Sequence, residues 1–127
     1  MAIKKKYKYV QSDKYSVFRK HFNRTKERNK KKNSSKQASK ILTLQDIKDQ
    51  WEKQDGKCAY TGVQMTHVGK NKKSPRQASL DRIDSSKGYE KHNVQFVCLA
   101  INLAKLDFSD KDFREFLKDI KKSKPVV

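Results

Sequence analysis

Apolar positions recur at helical spacing in three stretches and at β-type spacing in two. Between residues 13 and 31, Tyr15, Phe18 and Phe22 stand at i, i+3 and i+7, which predicts a basic helix with one aromatic stripe. Such a stripe points to packing on the rest of the chain; stacking on the bases of a single strand is the rival reading. NSSKQAS at 33–39 reads as a linker. Thr43 with Asp46 three positions on resembles a capping box with Asp in place of Glu. Behind it Leu44, Ile47 and Trp51 form the apolar face of a helix ending near Gly56. Period is then lost through CAYTG, a turn, and GKNKKSPR, a basic loop. QASLDRI predicts a short strand, NVQFVC alternates as a second strand beyond the turn SSKGY, and LAINLAKL follows as a helix. Ser109 and Asp112 cap a last helix, with Phe108 and Phe113 placed for a hydrophobic staple and Phe113, Phe116, Leu117 and Ile120 as its apolar face. The tail KKSKPVV is expected to fray. The class is α+β: a β-hairpin with a trailing helix, flanked by further helices and a basic N-terminal arm.

Composition narrows this to one modest core, since the 127 residues are 34% hydrophobic and 36% charged, with a mean hydropathy of −1.07. The net charge of +18 favours a polyanionic partner, nucleic acid first. The charge is uneven: residues 1–40 hold 15 Lys and Arg against two acids, a net +13. The expected division is therefore a basic DNA-contacting arm at 1–40 and a nuclease-like body at 41–127. No apolar run approaches the roughly 20 residues that span a bilayer, and no membrane partner is expected. Cys58 and Cys98 are too few to frame a secreted domain. They read as buried thiols of a soluble, intracellular protein, cytoplasmic in its cell or in a phage-infected host.

Asp81 falls near the end of the first strand, Asn93 opens the second, and Asn102 lies about one turn into the helix that follows. Carboxylate and amide oxygens are hard ligands, suited to Mg²⁺ or Mn²⁺ rather than to a sulfur-seeking metal. Mg²⁺ needs only one or two protein ligands beside water and phosphate oxygens. The three residues therefore suggest a one-metal phosphodiester site.

The order Asp81-Arg82, Asn93, Asn102, with Gly88-Tyr89 between and Lys105 beyond, resembles the ββα-metal motif of the HNH endonuclease family, in particular its phage-encoded and homing-type members. The lead-in LTLQDIKDQWEKQDGKCAYTG is similar too. The resemblance covers residues 43–108 well and 13–42 loosely. It implies a DNA endonuclease, nicking or cutting duplex DNA, with Asp81 and Asn102 as metal ligands and Asn93 orienting the base or bracing the loop. Lys105 is placed to approach a phosphate. Lys87 and the arm's Arg24, Arg28, Lys30, Lys31 and Lys32 are the further expected DNA contacts.

Two departures bear on the chemistry. The family's first signature residue is usually a His acting as general base, and Arg82 stands there; a guanidinium cannot take a proton at neutral pH. Arg82 is then expected to hold the scissile phosphate or stabilise transition-state charge, leaving His92, Asp84 or the ion itself to activate water, with His67 a weaker option. The second departure is structural Zn²⁺. Relatives carry two CxxC pairs, whereas here Thr61 and Ile101 replace one cysteine of each pair. Two thiolates do not close a tetrahedral site, so no structural Zn²⁺ is expected. A nucleic-acid-binding module that keeps the fold without cleavage is the alternative, and a basic RNA- or ribosome-associated protein a third reading.

Overall fold

The computed structural model describes residues 13–31, 40–68 and 73–127. Within them the chain is α+β, with four α-helices and one two-stranded antiparallel sheet. A 3-10 turn at Ser16–Phe18 runs into α1 at Arg19–Lys31; α2 spans Leu44–Lys53, β1 Ala78–Arg82, β2 Val94–Cys98, α3 Leu99–Lys105 and α4 Asp110–Lys122. The 33–39 linker and residues 69–72 of the basic loop lie outside the described residues.

Local chemistry sets these boundaries. The Thr43 hydroxyl accepts from the Asp46 amide while the Asp46 carboxylate accepts from the Thr43 amide, closing a reciprocal box at the start of α2. Beyond α2 the chain reverses through Gly56, at φ +68°, where a Cβ would lie 2.7 Å from Gln64 Nε2 and 3.0 Å from Trp51 Cζ2. Only glycine fits there without displacement. Ser109 caps α4 by accepting from the Asp112 amide.

The aromatic stripe of the N-terminal segment packs on the body. Phe18 is buried in the same core as Ile47, Leu80 and Phe96, with Phe22 and Trp51 against it. Phe96 lies across from Leu80 in the register, and on that face it meets Trp51 edge-on at 5.2 Å and His21 edge-on at 5.3 Å. The expected alternation of NVQFVC gives way to burial along the whole of β2. Its second face is covered as well, by α3 and Tyr60, so Gln95 and Val97 are enclosed. On α4 the apolar face is only partly covered: Phe113 is buried, while Phe116 and Ile120 are 56% and 53% exposed.

His21, on the helix predicted for residues 13–31, is a core residue. It is 3% exposed and its Nε2 has no hydrogen-bond partner among the described residues. Burial, aided by the nearby Arg24 and His67 charges, lowers its pKa from 6.5 to about 4. The unfolded chain therefore takes up a proton first as pH falls, so stability is full above pH 6.5 and declines between 6.5 and 4. The loss expected from that shift is about 3 kcal/mol. Urea melts across this range check it; His21→Leu should flatten the decline, and an unchanged slope in the variant would assign the loss elsewhere.

Candidate functional site

The hairpin register sorts the expected site residues by face. Asp81 pairs with Gln95 and Ser79 with Val97, so Ser79 and Asp81 present their side chains to one face and Leu80 and Arg82 to the other. Helix α3 begins directly where β2 ends and returns over the first of these faces. Asn102 and Lys105, three residues apart, both look onto it.

There the structure departs from a simple metal pair. Lys105 Nζ donates to Asp81 Oδ2 at 2.8 Å and to the Arg82 carbonyl at 2.7 Å, and the two side chains are 1% and 6% exposed. Gln95 Nε2 also donates to Asp81 Oδ2, at 3.0 Å. The Tyr60 ring stands over the ammonium at 5.5 Å. The expectation that Lys105 reaches out to a phosphate is thus corrected: its charge is spent inside the protein, because Asp81 needs a counter-charge once buried.

Asn102 lies half-buried one turn earlier. Its Nδ2 donates to Ser79 Oγ at 2.6 Å and approaches the Leu80 carbonyl at 3.5 Å. A carbonyl can only accept, so the amide nitrogen faces the strand and Oδ1 is turned off it. Among the described residues neither Asn102 Oδ1 nor Asp81 Oδ1 accepts a hydrogen bond. Two hard oxygens therefore remain uncommitted on residues of one strand–helix junction, oxygens of the kind that Mg²⁺ or Mn²⁺ takes beside phosphate and water. Lys105 makes that fit weak in the free protein, since it already neutralises the carboxylate.

Asn93 braces the loop between the strands. Its Oδ1 accepts from the Asp84 amide at 3.0 Å, and its Nδ2 donates to the Asp84 and Gly88 carbonyls at 3.1 and 2.9 Å. Arg82 works on the same loop: Nη1 donates to the Ser85 and Lys87 carbonyls at 2.9 and 3.0 Å, and the guanidinium lies 5.4 Å from the Tyr89 ring centroid. This revises its expected place at the scissile phosphate, because β-strand alternation sends it to the face opposite Asp81.

The two expected bases are not gathered at Asp81. His92, in the left-handed region at φ 71°, lines a groove with Leu42, Asp46, Asp49 and Lys53 on the α2 side. Asp84 is exposed, and the hydroxyl and amide of Ser86 hold its carboxyl below the usual carboxylate range, which weakens it as a base. His67 stacks on Trp51 with ring centroids 4.6 Å apart.

Helix α1 brings basic side chains to β1. Arg24 and Arg28, both exposed, line a small polar cleft with His21, Ser79, Leu80 and Tyr89. Arg28 Nη1 donates to Tyr89 Oη at 2.5 Å, and Asn29 exchanges hydrogen bonds with the Tyr89 backbone, which fixes the helix against the hairpin loop. Lys30 is exposed and lies 3.6 Å from Glu27, and Lys87 is exposed on the inter-strand loop. Lys31 ends α1; its side chain and all of Lys32 lie outside the described residues.

Sequence reasoning missed three contributors to the site. Gln95 and Ser79 are recognisable only once the register places them beside Asp81 and Asn102. Tyr60 donates to Asp110 Oδ1 at 2.6 Å, and burial, that hydrogen bond and the Asp81 charge push its pKa up. Cys58 and Cys98 are both buried, with the Cys98 amide 3.4 Å from Cys58 Sγ; burial and the neighbouring Cys58 push the Cys98 thiol up to about 11. Among the described residues no group of three or more His, Cys, Asp or Glu side chains is placed to hold a metal. None of the helices described is long and apolar enough to cross a membrane. No protein-family model, curated protein or solved structure gives a significant match to this chain.

Proposed function

We propose that this chain is a Mg²⁺- or Mn²⁺-dependent DNA endonuclease built on a ββα unit like that of the HNH family. The observation that carries the reading is the pair of uncommitted oxygens, Asp81 Oδ1 and Asn102 Oδ1, offered from β1 and α3 on one face, with exposed arginines of α1 along the same strand. A bound divalent ion would supply Lewis-acid polarisation of the phosphoryl group.

The chain's own residues divide the remaining work. Asp81 and Asn102 would hold the ion, Gln95 would fix the carboxylate's orientation, and Ser79 would fix the carboxamide. Arg24 and Arg28 contact backbone phosphates, which positions the duplex without reading its sequence. Asn93 and Arg82 keep the inter-strand loop in one shape. With Arg82 turned to that loop and neither His92 nor Asp84 beside Asp81, no side-chain base among the described residues serves the attacking water, so the enzyme is expected to be slow. Supercoiled plasmid incubated with protein should become nicked in Mg²⁺ or Mn²⁺ and stay intact in EDTA. Salt-sensitive binding with no nicking in either metal would instead establish a DNA-binding module, the reading that the buried Lys105–Asp81 pair favours. Preference for structured RNA over duplex in competition would overturn both.

A further inference from the structure

We infer that Lys105 is a resident cation, which occupies the Asp81 carboxylate in the free protein and competes with a divalent ion for it. The inference rests on the proposed metal site and adds to it a control over when that site fills.

The ammonium has the surroundings of a bound metal ion. It is enclosed by a carboxylate oxygen at 2.8 Å, a backbone carbonyl oxygen at 2.7 Å and the face of Tyr60, and it is 1% exposed. Carboxylate and carbonyl oxygens are the ligands that Mg²⁺ and Mn²⁺ choose. The pair is neutral, so a divalent ion approaching Asp81 Oδ1 meets the carboxylate's attraction offset by an ammonium on its other oxygen. Repulsion between a unit and a double positive charge a few ångströms apart is large in a buried site. A DNA phosphate beside the ion adds the negative charge that the protein withholds. The ion is thus expected to bind strongly only with DNA in place, which keeps the free protein from loading metal.

Mn²⁺ titration of the wild type, Lys105→Met and the Asp81→Asn/Lys105→Met double variant, without DNA, tests this. Lys105→Met should bind Mn²⁺ at least about tenfold more tightly than the wild type. The double variant should lose that gain. Equal affinity in wild type and Lys105→Met, or a gain that survives in the double variant, overturns the inference. Should Lys105→Met fail to fold, the wild type carries the test: saturating Mn²⁺ with uncleavable duplex should raise labelling of Lys105 by an amine-reactive reagent, and unchanged labelling overturns the inference. Plasmid nicking by the wild type is scored separately. Nicking without a Lys105 effect removes the competing cation and leaves the nuclease; a Lys105 effect without nicking does the reverse.

Discussion

Asp81→Ala is expected to destabilise the protein by about 3–5 kcal/mol, because it strands the ammonium of Lys105 in a site that excludes water. For a chain of this length that corresponds to a fall in Tm of roughly 10–20 °C. Lys105 is 1% exposed, and its remaining partners, the Arg82 carbonyl and the Tyr60 ring, carry no full negative charge. Removing both charges together should cost far less: Asp81→Val with Lys105→Met leaves an apolar pair of similar volume, and such replacements are often neutral. Thermal melts of Asp81→Val, Lys105→Met and the double variant form a cycle whose coupling should be at least about 2 kcal/mol. Additive losses would mean that the pair is not held as described. Loss of cleavage in Asp81→Ala therefore combines lost folding with lost chemistry.

Duplex affinity should fall about 1,000-fold between roughly 50 and 200 mM salt, the behaviour of a protein that neutralises around six phosphates. The charge supports a number of that order. Net charge is +18 overall and +13 in the first 40 residues, and Arg24, Arg28 and Lys30 are exposed on α1 beside the hairpin. Each phosphate contact releases condensed counterions, so the slope of log affinity against log salt reads the number of contacts. Arg24→Ala with Arg28→Ala should reduce that slope by between one and two. An affinity indifferent to salt would remove the arm from the interface.

The capped helices and the hairpin are legible in the sequence because each rests on short-range chemistry: Thr43 with Asp46, Ser109 with Asp112, β-branched residues in β2. The place of Phe18 in the core is legible too, since one stripe at helical period has few other uses. What fails is whatever depends on which face meets what. Gln95 looks like the polar position of an alternating strand, yet it is enclosed, with its amide donating to Asp81 opposite. His21 carries no mark in the sequence of being a core residue, yet α1 turns it onto Phe96. Lys105 reads as a phosphate contact, although its spacing of three from Asn102 already puts it over Asp81. Arg82 follows Asp81 in the chain but not in space, because neighbouring strand residues face opposite ways.

The claim at the centre is that Asn102 and Asp81 together hold the ion that cuts DNA, and Asn102 tests it most cleanly. Its side chain is half-buried and, among the described residues, engages only Ser79 and the Leu80 carbonyl, so Asn102→Ala should fold with nearly wild-type Tm. Plasmid nicking in Mg²⁺ by wild type and Asn102→Ala, at matched folded concentration and low salt, is the decisive measurement. Nicking by the wild type and a loss of at least about a hundredfold in the variant is the expected result. Equal nicking by both, or none by the wild type in Mg²⁺ or Mn²⁺, would contradict it.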